Sequence, residues 1–144
     1  MISISLDPGG LHRANNAFLR VLDQRIEQGL DATLESIAAR AKQTTKFTDR
    51  TSALRNSIQS DGATGSFVAG RMEGVVSYAA RSEKGYLYGA ALEYGTAPRT
   101  SFSGFNRGIT EKRFIRDAID QEFGGFLEQA IGAAFRDAGY EVSL

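Results

Sequence analysis

The sequence predicts an α+β domain in which an antiparallel sheet accompanies a long N-terminal helix and a C-terminal helix. Apolar residues recur every three or four positions from Leu11 to Ala41, and again from Phe114 to Ala138. Between these runs lie short alternating stretches separated by turn residues, the pattern of strands in a hairpin. The chain has 144 residues, the length of one domain, and 42% of them are hydrophobic. A domain of this size buries roughly two-thirds of the surface its unfolded chain exposes.

At the N-terminus Ile2, Ile4 and Leu6 alternate with Ser3 and Ser5, as in a half-buried strand. Asp7 is placed to cap a helix, and Pro8 fits the first turn, where its missing N–H costs nothing. Leu11, Ala14, Phe18, Leu22, Ile26, Leu30, Leu34, Ile37 and Ala41 then form one stripe. A helix continuous to about Lys42 extends on the order of 45 Å. That is long for this domain, so part of it is expected to pack against a neighbouring subunit. Residues 42–50 are polar and aperiodic, which predicts a loop. Thr51 can cap a short turn before Leu54, residues 55–60 look extended, and Asp61-Gly62 signals a turn. Residues 66–70 and 73–78 suggest a hairpin across Arg71-Met72, although that pair lacks the glycine usual in two-residue turns.

Residues 95–110 contain Gly95, Gly104, Gly108 and Pro98, which predicts a long loop with an interaction role. Arg99, Phe102, Phe105 and Arg107 on it are of the residue types enriched at protein interfaces. Thr110 is a fair N-cap for the second helix. Gly124-Gly125 interrupts that helix, predicting a break offset by close packing on another backbone. Gly139 suits its C-terminal end, and Tyr140, Val142 and Leu144 alternate as in a final strand.

Seventeen basic residues balance seventeen acidic ones, which argues against a general nucleic-acid binder. There is no cysteine, so disulfides, thiolate metal sites and cysteine nucleophiles are excluded. No apolar run approaches the roughly 20 residues that span a bilayer, and the first residues do not resemble a secretory signal. Cytoplasmic synthesis and no membrane partner are expected. His12 falls on the polar side of the first helix without evident catalytic partners. Asp117, Asp120 and Glu122 read as a solvated helix face, and no cofactor or metal motif is present. Arg113 and Arg116 open the second helix, where its dipole disfavours cations. They are either exposed beside Asp117 and Asp120 or directed at carboxylates of an adjacent subunit. Glu93 stands out. It lies in the apolar and aromatic segment 86–96, where a carboxylate must be paired or hydrogen-bonded to stay charged. An anchor bonded to backbone N–H groups or to an arginine fits better than a catalytic acid, which would need a second group.

Three segments, in order, resemble the tail-component family of long-tailed bacteriophages, which contains tail-completion, tail-terminator and head–tail joining proteins. Thr51-Ser52-Ala53-Leu54-Arg55-Asn56-Ser57-Ile58 is similar to T-G-x-L-R-x-S-I. Residues 88–96 resemble a tyrosine, a short apolar stretch and then E-[YF]-G-T, here Glu93-Tyr94-Gly95-Thr96. Lys112-Arg113-Phe114-Ile115-Arg116-Asp117-Ala118-Ile119 resembles P-F-[LI]-R-x-A-[LI]. Together with the leading helix these order about 70 residues of the chain. Ser52 stands where the family usually has glycine and Arg113 where it usually has proline, and the proline that often precedes T-G is absent.

The resemblance implies two helices packed on an antiparallel sheet, in a single domain over residues 1–144. It implies a subunit that assembles into a ring, commonly sixfold, at the junction of tail tube and head connector. The expected partners are further copies of the chain, the tail tube protein and the connector proteins, with DNA passing through the lumen unbound. The expected location is the virion, after assembly in the bacterial cytoplasm, and a gene-transfer particle or tailocin could use the same part. Tyr88, Glu93, Tyr94, Arg99, Phe102, Phe105, Arg107, Arg113 and Arg116 are the candidate interaction residues. Two other classes stay open: a small enzyme or toxin using Glu93 with Arg99 or Arg107, and a nucleic-acid-binding module, which would need a clustered basic face.

Overall fold

The computed structural model describes residues 8–48, 52–82, 85–101 and 104–139, with all their side chains except those at 8–12, 99–101, 104–106 and 127. A single helix, α1 (Pro8–Gln43), forms the spine. Its 36 residues extend about 54 Å at 1.5 Å per residue. No proline interrupts it after the first position, and Arg40 and Lys42 in its last turn complement the helix dipole. From Ile26 onward the predicted stripe is its buried face: Ile26, Leu30, Leu34, Ile37 and Ala41 are all at most 6% exposed, whereas Ala14, earlier in the stripe, is exposed. The side chain of His12 lies outside those described, as do the strands expected at residues 2–6 and 140–144.

After α1 the chain turns through residues 44–48 into α2 (Ala53–Ser57). The segment from Arg55 to Ser57 is therefore helical, against the expectation of an extended stretch. Leu54 and Ile58, each 0% exposed, pull this short turn onto the end of α1. Thr51, expected to cap it, lies outside the described residues. Ser52 occupies the N-cap position in a left-handed conformation (φ 57°) and makes no side-chain cap bond.

Strands β1 (Gln59–Ser66) and β2 (Arg71–Ser77) pair antiparallel and lie on α1. The hairpin exists, but its turn is residues 67–70, where the Gly70 N–H donates to Phe67 O at 2.9 Å. Asp61-Gly62 is not a turn either: β1 runs through it, with a register shift between Asp61 and Thr64. Helix α1 dictates both features. Asp31 Oδ1 accepts from Ala63 N (2.6 Å) at the shift, and Asp23 Oδ1 accepts from Phe67 N (2.6 Å) and Val68 N (3.2 Å) at the turn. Two carboxylates on one helix face thus satisfy the backbone donors that strand pairing leaves open.

Helix α3 (Tyr88–Tyr94) follows, and then the segment expected to be a long loop. It is instead a hairpin of β3 (Arg99–Ser101) and β4 (Gly104–Asn106), closed at its base by bonds between Thr96 and Ile109. The second helix begins at α4 (Phe114–Glu122) and not at Thr110. Lys112 N donates to Leu92 O at 2.7 Å, which holds the approach to α4 extended. The predicted break is present: α4 ends before Gly124-Gly125, and α5 (Phe126–Asp137) begins after it. The close packing expected to offset it is absent, since nothing lies within 4 Å of a Cβ built on either glycine. Gly125 adopts φ 82°, which glycine tolerates without strain. Phe126 and Ala130 then meet Gly29, while Phe135 stacks on Phe18 at 5.0 Å, so α5 runs back along α1. Gly139 (φ 87°) follows α5 as expected of a C-terminal stop.

The fold is therefore α+β, a long helix carrying a two-stranded antiparallel sheet and two C-terminal helices. Its main core gathers at the C-terminal third of α1. There Ile37, Ala38 and Ala41 meet Phe47, Leu54, Ile58, Ala80, Phe114, Ile115 and Ala118. Among the described residues no helix is long and apolar enough to cross a membrane.

Candidate interaction site

The first four N–H groups of a helix have no partner within it. At α4 the residue in the N-cap position, Arg113, is left-handed (φ 49°) and supplies no side-chain cap. Glu93 supplies one from α3. Its Oε2 accepts from Ile115 N at 2.9 Å, and its Oε1 accepts from Arg116 N at 3.0 Å. Both donors belong to the first turn of α4, where the helix dipole favours a carboxylate. The Arg116 guanidinium completes the arrangement. Its Nε donates to Glu93 Oε1 at 3.0 Å, and its outer nitrogen donates to the Glu93 backbone O at 2.6 Å and to Glu111 Oε2 at 3.1 Å. Glu93 is 1% exposed, so the carboxylate is buried with its oxygens committed. It is the anchor expected from the sequence.

Neighbouring residues build this knot. Gly95 lets the chain leave α3 at φ 73°, and a Cβ there would lie 2.8 Å from Ile109 O. Thr96 N donates to Ile109 O at 2.8 Å, and Ile109 N donates back to Thr96 O and Oγ1 at 3.1 and 2.9 Å. Gly89 packs so closely that a Cβ would meet Tyr78 at 2.5 Å and Leu54 at 2.9 Å. Tyr88 and Leu92 lie against the main core. Tyr94 is 65% exposed and offers its ring to Arg116, whose guanidinium carbon is 5.0 Å from the centroid. Hydrogen bonds from Arg116 to Glu93 and then Glu111 raise the guanidinium pKa above its ordinary value, so the charge is fixed. Burial pushes the Tyr78 phenol up, with smaller contributions from Tyr94 and Glu93.

The segment 51–58 ties the other side. Arg55 donates to the carbonyls of Lys42, Thr44 and Phe47 at the end of α1 and stands 5.0 Å over the Phe47 ring. Ser57 Oγ accepts from Ala79 N and Ala80 N at 3.2 and 3.1 Å.

The nine candidate residues thus separate into groups. Tyr88, Glu93, Tyr94 and Arg116 come together in the knot. Arg116 is consequently engaged within its own chain and not directed at another subunit. Arg113 turns the other way, toward Asp117 (3.1 Å) and Asp120 (3.3 Å), the first of its two expected arrangements. Arg99 and Phe105 lie on the strands of the β3–β4 hairpin and Arg107 just after it, and Phe102 lies outside the described residues. Among the described side chains the guanidinium at Glu93 is that of Arg116, not of Arg99 or Arg107. The carboxylates expected on a solvated face of α4 are paired: Asp117 with Lys46 and Arg113, Glu122 with Arg40 and Ser36. Reading the sequence missed Glu111, Asp23 and Asp31. The acids of α1 are eight residues apart, a spacing that places them on one face but says nothing of what they meet.

Two further surfaces carry exposed apolar side chains. Tyr86, Leu87 and Ile109 are 71%, 38% and 39% exposed beside a cavity of about 570 Å³ near the base of the β3–β4 hairpin. Phe67, Ile119 and Phe123 are 39%, 37% and 46% exposed around a groove of about 470 Å³ between β2 and α4. No family model matches the chain, and no curated protein or solved structure matches it.

Proposed function

We propose that this chain is a structural subunit that self-assembles into a ring, commonly sixfold, at the head–tail junction of a long-tailed bacteriophage or a related particle. One observation carries the reading. The three segments that bear the family resemblance, far apart in sequence, meet in space around a single core. Leu54 and Ile58 come from the first, Tyr88 and Leu92 from the second, and Phe114, Ile115 and Ala118 from the third. Glu93 and Arg116 lock the second segment to the third. Segments that jointly specify one tertiary arrangement make a better family signature than three short matches taken singly.

The mechanism is physical. A ring closes when identical head-to-tail contacts rotate to closure, and each contact needs two unlike surfaces on one chain. Two separated apolar surfaces are what this chain offers. In this reading the tail tube protein and the connector proteins dock above and below, and DNA passes through the lumen unbound. The assembled particle would be the virion, built in the bacterial cytoplasm. An enzyme or toxin acting through Glu93 has less behind it, because the carboxylate is 1% exposed and bonded at both oxygens.

Native mass spectrometry and negative-stain microscopy over a concentration series test the proposal. A closed ring of fixed copy number is expected, and a chain that stays monomeric both in solution and in its particle would overturn it.

A further inference from the structure

We draw no further inference here: the strongest candidate, the apolar groove between β2 and α4 bordered by Met72, Val76, Ile119 and Phe123, carries none because nothing in the structure shows what covers it.

Discussion

Replacing Glu93 by alanine removes the acceptor for two buried backbone N–H groups and the partner of a guanidinium. A hydrogen bond to a charged group contributes about 1.5–3 kcal/mol net, and a buried donor left without a partner costs about 1–3 kcal/mol. The partly exposed Arg116 guanidinium can turn to water, so the two backbone donors carry most of the cost. Glu93→Ala should therefore destabilise the domain by about 3–5 kcal/mol. That is a large share of the roughly 5–15 kcal/mol that holds a domain together. At this chain length it corresponds to a fall of about 10–15 °C in Tm.

Glu93→Gln separates shape from charge. The amide keeps one acceptor but turns its NH2 toward a donor, so an intermediate loss of about 1–3 kcal/mol is expected. Urea unfolding followed by circular dichroism gives these differences from the shift in midpoint at constant slope. Amide hydrogen exchange supplies the local readout, since Ile115 and Arg116 should exchange faster in both variants. A Glu93→Ala loss below about 1 kcal/mol, or unchanged exchange at Ile115 and Arg116, would refute the capping argument.

The left-handed Ser52 (φ 57°) predicts that Ser52→Gly stabilises by about 0.5–1 kcal/mol, while Arg113→Pro destabilises, because proline cannot reach φ 49°. Thermal unfolding of both variants checks this, and a destabilised Ser52→Gly protein would count against it. Gly89→Ala should cost about 1–3 kcal/mol, since the methyl meets the Tyr78 ring and Leu54; an unchanged urea midpoint would show that the site can relax. The Asp23 carboxyl is held below its ordinary value of 3.8, chiefly by the Ser66 hydroxyl and then by the backbone N–H groups of Val68 and Phe67. A depressed folded-state pKa adds stability above the unfolded value and loses it as pH falls through the folded one. Phe67 and Val68 amides should therefore lose protection as pH drops below about 4, and Asp23→Asn should abolish that pH dependence. Exchange measured from pH 5 to pH 2.5 decides it; identical profiles for the two proteins would remove Asp23 from the account.

Periodicity made the helices legible because one buried face repeats along them: the first stripe became core from Ile26 to Ala41, and in the second run Phe114, Ile115, Ala118, Ala130 and Ala134 did, while Ile119 and Phe123 stayed exposed. The turns were not legible in the same way. Asp61-Gly62 carries a turn signature, yet Asp31 from α1 satisfies the backbone there and the strand continues. Nothing within five residues of that dipeptide encodes Asp31. Arg55 to Ser57 looked extended for a similar reason, since their helical turn depends on Leu54 and Ile58 being buried under α1. The start of α4 was misplaced because its cap comes from Glu93, more than twenty residues upstream. Glu93 itself was legible as an anchor, through the cost of leaving a carboxylate unpaired in apolar surroundings. Its partners were not: Arg116 was expected to face outward, and the knot uses it inward.

This knot changes what the resemblance can be asked to explain. Arg55, Ser57, Gly89, Glu93, Gly95 and Arg116 all satisfy backbone groups, fill tight contacts or turn the chain within one molecule. Matched residues with such work are fold-forming, so a Glu93 variant that fails to assemble would fail through the fold and report little about the interface. Contact specificity must then come from positions outside the matched segments. Phe67 and Phe123 meet that condition: both lie outside the matched segments, and both are exposed beside the groove between β2 and α4. An assembly defect at Phe67 or Phe123 with wild-type stability would separate docking from folding. A matching loss of stability would merge them and return the knot to the interface.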